Sequence, residues 1–70
     1  MKDKDFFIRV GGNIARIRKE KGLTTQELAN ECDMEKSNLI PIEKGRINST
    51  LSTLNKLARA LDIDPRELFK

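Results

Sequence analysis

Residues 24–45, TTQELANECDMEKSNLIPIEKG, decide how this chain folds. Thr24 and, three residues later, Glu27 spell a capping box. In that motif the threonine oxygen accepts from the Glu27 amide, and the Glu27 carboxylate accepts from the cap amide. Leu28, Ala29 and Cys32 follow at helical spacing and make one narrow apolar face. The period breaks at Asp33 and Met34, then resumes with Leu39 and Ile42 on one face and Lys36, Ser37, Ile40 and Lys44 elsewhere. Gly45 supplies the left-handed residue that ends the second pattern. The reading is two short amphipathic helices with almost no linker between them. Neither can bury its apolar face alone, so the flanking segments must complete a bundle.

Upstream, Phe7, Val10, Ile14 and Ile17 recur at three- and four-residue spacing and predict a first helix of roughly four turns. Residues 1–5 are polar and are expected to fray. Gly11 and Gly12 fall inside the helix, each expected to weaken it by about 0.5–1 kcal/mol relative to alanine. Arg16, Arg18, Lys19 and Lys21 load its C-terminal end, where cations oppose the helix dipole, and Gly22 is its stop. Downstream, Thr50 or Ser49 caps a fourth helix over residues 51–61, with Leu51, Leu54, Leu57, Ala58 and Leu61 as its stripe. Asp64-Pro65-Arg66-Glu67 opens a last short helix, with Asp64 as cap, Pro65 at its first position and Glu67 completing a box. The expectation is an all-α, compact five-helix bundle, one domain over residues 1–70, with its distinctive unit at 24–45.

Seventy residues can build only a small core. Hydrophobic residues are 37% and charged residues 36%, a balance that suits a helical domain with a highly charged surface. Fourteen basic against 11 acidic residues leave +3, an excess that permits a phosphate-rich partner without demanding one. One cysteine excludes an internal disulfide and offers no metal cluster, which fits a reducing cytoplasm. No apolar run approaches a membrane span, and the charged start MKDKD lacks a signal-peptide core. With no histidine, no phosphate-cradling glycine loop and no paired-carboxylate constellation, neither catalytic residues nor a cofactor is expected.

Four pieces of the chain carry a resemblance: NIARIRKEKGLT (13–24), QELA (26–29), IEKG (42–45) and NSTLSTLNKLARALDIDPRELF (48–69). From Gly12 to Phe69, more than four-fifths of its length, the sequence resembles the Cro/repressor-type (xenobiotic-response-element, XRE) helix-turn-helix regulators, a bacterial and phage family. The resemblance implies a lambda-repressor-like domain that binds double-stranded DNA as a transcriptional regulator. It implies a third helix in the major groove and a homodimer on an inverted-repeat operator.

Carried over by position, Lys36, Ser37 and Asn38 would meet base edges, Asn38 either a base or a phosphate. Thr25, or Gln26 beside it, would donate to a phosphate, as would Arg46 and Asn48, while Lys44 adds non-specific attraction. Ile40 and Pro41 stand where the family usually has polar residues, so there they would touch thymine methyls or sugar edges. Pro41 should also make the third helix start late, bend, or lose one hydrogen bond near Ser37. Asp33 replaces a common glycine, and aspartate tolerates the left-handed region. Arg18 and Glu43 are expected to form a partly buried ion pair, and Leu68 and Phe69 to close the bundle or to project from it as a dimer interface.

Taken singly, Lys36, Ser37 and Lys44 read better as the solvated face of a surface helix, and Cys32 reads as a small core residue rather than a reactive thiol. The competing function is an antitoxin or protein-interaction module that binds a partner protein and its own promoter. It draws on Ile40, Pro41 and the Phe6–Phe7 start. A toxin gene, or the methylase or nuclease gene of a restriction–modification circuit, beside this one would name that partner.

Overall fold

A computed structural model of the chain describes residues 3–70. Helix α1 runs Asp3–Glu20, α2 Thr25–Glu31, α3 Lys36–Glu43 and α4 Leu51–Ala60, and a 3-10 helix over Pro65–Phe69 ends the chain. The architecture is all-helical, as expected, but the fifth helix is a tight 3-10 turn and α4 stops at Ala60, with Leu61 as its cap. Fraying was expected over residues 1–5. Residues 1 and 2 lie outside the described residues, and residues 3–5 are helical. Asp3 and Asp5 place two carboxylates at the positive end of the α1 dipole, which favours that extra turn.

All four α-helices end in the same way. The residue after the cap is left-handed, at Gly22 (φ 73°), Asp33 (54°), Gly45 (69°) and Asp62 (58°). Each time the next amide reaches back to the carbonyl five residues earlier: Leu23 to Arg18, Met34 to Ala29, Arg46 to Pro41 and Ile63 to Ala58, at 2.9–3.0 Å. This is the Schellman arrangement, and it satisfies carbonyls that a helix end otherwise orphans. Leu23, Met34 and Ile63 then pack against the core. Gly22, Asp33 and Gly45 are the left-handed positions expected from the sequence; Asp62 is a fourth.

Helix α1 is the spine. Eighteen residues at 1.5 Å each give about 27 Å, close to the 31 Å long axis of the molecule. It packs on α3 and on the 3-10 helix, while α2 packs on α3 and α4. Ile14, Leu28, Leu39, Leu57, Leu61 and Leu68 are the largest fully buried side chains. Two expectations fail here. Leu51, assigned to the α4 stripe, is 78% exposed, because it stands at the first position of α4, beyond the point where the core covers that face. Leu68, expected at a dimer surface, is fully buried and closes the core, leaving only Phe69 of that pair with exposed surface. Asn13 Nδ2 fixes the end of the chain by donating to the carbonyls of Leu68 (2.9 Å) and Lys70 (3.0 Å). Phe69 stacks on Phe6 with ring centroids 6.1 Å apart.

The Asp64 box also forms differently. Asp64 Oδ1 accepts from the Arg66 amide (2.9 Å), whereas Glu67 is drawn to Lys70 Nζ (3.1 Å). In a 3-10 turn the acceptor is nearer in sequence, so the third position loses its partner.

Cys32 is a core residue. Burial, with Glu31 adding and Lys56 opposing, raises its thiol above the ordinary range. The thiolate is the nucleophile, so iodoacetamide should label native protein slower than urea-unfolded protein by on the order of 10³-fold. Equal rates in a timed alkylation assay would place Cys32 at the surface.

Candidate nucleic-acid interface

The second helix begins on the expected box: the Glu27 amide donates to Thr24 Oγ1 (3.0 Å), and the Thr24 amide donates to Glu27 Oε1 (2.8 Å). These bonds hold the Glu27 carboxyl below its ordinary pKa. The Asp33 turn delivers the chain into α3 within four residues of the end of α2. Glu35 occupies the cap position of α3 without a side-chain bond to it. Pro41 stays inside α3, and with no amide at 41 the Ser37 carbonyl lacks its usual helical donor.

On α3 only Leu39 and Ile42 are buried. Lys36, Ser37 and Asn38 are all exposed, so the base-contact residues inferred from the sequence do stand on the surface together. Ile40 and Pro41 are half-buried, a smaller apolar display than their sequence suggested. Asn38 borders a crevice between α2 and α3 that also holds Gln26, Asn30, Asp33, Met34 and Glu35. Gln26 Nε2 donates to Asn30 Oδ1 (2.8 Å), which steadies the Gln26 amide and leaves its oxygen free. Gln26 is exposed and Thr25 half-buried, so of the two phosphate candidates on α2 the glutamine is the more accessible.

Beyond α3, Lys44, Arg46 and Asn48 are exposed. Lys44 and Arg46 border one crevice, and Asn48 borders a different, apolar groove with Phe6, Ile47, Leu51 and Phe69. The groove, about 240 Å3, has no signature in the sequence, where Leu51 reads only as part of the α4 stripe. Among the described residues no group of His, Cys, Asp or Glu could hold a metal, and no helix is long and apolar enough to cross a membrane.

Three contacts fix the attitude of α3 on α1. Arg18 donates through Nε to Glu43 Oε2 (2.7 Å) and through Nη2 to Glu43 Oε1 (3.1 Å), and its Nη1 donates to the Leu23 carbonyl (2.9 Å). The expected pair is therefore bidentate, with both side chains only 10% exposed. Gly11 lies against the carbonyl end of α3, where an added Cβ would stand 2.2 Å from the Ile42 oxygen. Gly45 does the same to Ile8 of α1, its absent Cβ falling 2.5 Å from Ile8 Cα.

This exposed, rigidly mounted second helix of a tight helical pair is the geometry the sequence resemblance implied. A family model described as Helix-turn-helix matches residues 14–68. The chain belongs to that family. Helix-turn-helix proteins of this XRE type are DNA-binding transcriptional regulators, and this chain is one of them. It is 44% identical over 59 residues to an uncharacterized HTH-type transcriptional regulator, y4dJ, of Sinorhizobium fredii, covering 84% of this chain and 77% of that one. It is 36% identical over 60 residues to the control protein C.BamHI of Bacillus amyloliquefaciens, with 84% and 74% of the two chains covered. In three dimensions it is similar to the restriction-modification controller protein C.AhdI of Aeromonas hydrophila, with a TM-score of 0.93 and 35% identity over 99% of this helix-turn-helix chain and 100% of that one.

Proposed function

We propose that this regulator is a cytoplasmic homodimeric repressor or autoregulator that sets α3 into the major groove of each half of an inverted-repeat operator. The observation that carries the reading is the division of α3. Lys36, Ser37 and Asn38, in its first turn, are exposed and free for base edges, while Leu39, Ile42 and the Arg18–Glu43 pair hold the helix to the scaffold. A two-fold dimer would place the two reading helices one DNA turn apart, with half-site centres about 34–36 Å from each other.

A second copy is the occupant that best fits the apolar groove. Leu51 projects beside it and Phe69 lines it, so the same face carries both a knob and a hole. A two-fold axis pairs a face with itself, which suits that self-complementary layout. Phe69, Leu51 and Ile47 therefore replace the Leu68–Phe69 pair as the dimer surface. Sedimentation of the purified protein should show concentration-dependent dimers that Leu51→Glu abolishes. A monomer at every concentration, with a second small protein co-purifying, would support the antitoxin reading instead. The similarity to the restriction-modification controller protein C.AhdI favours a restriction–modification circuit, and a methylase or nuclease gene alongside would mark it.

The reading of α3 is tested with an operator obtained by binding-site selection. Lys36→Ala should relax discrimination at one base pair by about 1–3 kcal/mol. Arg46→Ala should weaken all sequences nearly equally and lower the salt slope by about 1.8 per dimer, two phosphate contacts at roughly 0.9 each. Unchanged affinity and slope for both variants would mean that α3 is not the reading helix.

A further inference from the structure

The crevice at the C-terminal end of α3 reaches outside the segment that defines the family. Lys4, Phe7, Ile8, Lys44, Gly45 and Arg46 border it, whereas the family match begins at residue 14. Its two walls meet because the Gly45 backbone lies directly on Ile8, at a distance no side chain at 45 would permit. Lys4 and Ile8 are four residues apart on α1 and so share one face of that helix. The contact thus sets Lys4 one turn from the point where Lys44 and Arg46 flank Gly45.

All three cations are exposed. Among the described residues none of them has an ion-pair partner, whereas Arg16, Arg18, Arg66 and Lys70 each have one. Asp3 and Asp5 are neighbours of Lys4 in sequence but sit about 100° to either side of it around the helix, and they do not border the crevice. Phe7 and Ile8 form an apolar floor along which lysine stems can lie with their ammonium groups in water. Three unpaired like charges around one crevice repel each other, and a polyanion converts that repulsion into attraction.

We propose that Lys4 is a phosphate-contacting residue, completing with Lys44 and Arg46 a three-cation clamp on the DNA backbone at the end of the recognition helix. The proposal rests on the reading of α3 as the helix in the groove. Its mounting is rigid: α1 is fixed to α3 at Gly11 and Gly45, so the third charge needs no ordering of a loop.

Salt dependence tests it, on the selected operator, with Lys4→Gln, Arg9→Gln and Arg46→Gln. Arg9 is exposed on α1 and lies five residues, about 140°, around the helix from Lys4, so its variant removes the same charge away from the crevice. For a dimer, Lys4→Gln should lower the slope of log K against log salt by about 1.8. Between 50 and 200 mM salt it should then lose about tenfold less affinity than wild type. Arg9→Gln should track wild type, and all three should keep the wild-type melting temperature. A wild-type slope for Lys4→Gln beside a flattened one for Arg46→Gln overturns the clamp and leaves the reading of α3 standing. Equal flattening by Lys4→Gln and Arg9→Gln overturns it too, as an effect of net charge alone. If Arg46→Gln also behaves as wild type, the docking itself is wrong.

Discussion

Glu43→Ala is expected to destabilise the domain by about 3–5 kcal/mol, the usual cost of leaving one member of a buried ion pair without the other. The geometry makes this a severe case. The Arg18 fork spends two donors on Glu43 and one on the Leu23 carbonyl, with only 10% of either side chain exposed. Domains of this size are stable by about 4–10 kcal/mol, at roughly 0.05–0.15 kcal/mol per residue. The variant should therefore be partly unfolded at 25 °C, and urea melts followed by circular dichroism measure it. Replacing both partners, as Arg18→Met with Glu43→Leu, should recover most of the loss, because an apolar pair of similar volume needs no counter-charge. A cost below about 1 kcal/mol for Glu43→Ala, the range of an exposed pair, would show that Arg18 simply turns out to water.

The adjacent glycines of α1 should respond to alanine with opposite signs. At Gly12 an added Cβ meets nothing within 4 Å, so Gly12→Ala gains helix propensity and stabilises by about 0.5–1 kcal/mol. At Gly11 it would stand 2.2 Å from the Ile42 oxygen and 2.7 Å from the Glu43 oxygen, both backbone atoms with no rotamer to change. Gly11→Ala must push α3 off α1, at the upper end of the 1–3 kcal/mol typical of overpacking or beyond it. Paired thermal melts decide the matter. If Gly11→Ala melts at or above the wild-type temperature, the two helices do not approach as closely as described.

That contrast marks the boundary of what the sequence discloses. The Thr24–Glu27 box, the left-handed Asp33 and Gly45, and the Arg18–Glu43 pair were legible because each follows from local chemistry or from the resemblance. Gly11 and Gly12 looked alike, since nothing within one helix says which will meet a neighbour's backbone. Leu51 and Leu68 were hard to place for a related reason. Periodicity gives the face of a helix but not where along its length the partner begins, so it put Leu51 on the apolar stripe, where it stands exposed, and did not decide that Leu68 is buried. On α3 the positions taken from the resemblance include the exposed Lys36, Ser37 and Asn38 and the half-buried Ile40 and Pro41, while Lys4 fell outside every motif because only the fold brings it beside residue 45.

The way α3 is divided has a consequence for the history of such proteins. Everything that holds this helix in place lies on Leu39, Ile42 and Glu43, on its inner side, or in the glycine contacts at its far end. Changes at exposed positions such as Lys36, Ser37 and Asn38 should leave stability within about 0.5 kcal/mol. A duplicated copy could then walk from one operator to another by single substitutions, every intermediate remaining folded and open to selection. Binding preference and folding would evolve as separate traits within eight residues of one helix.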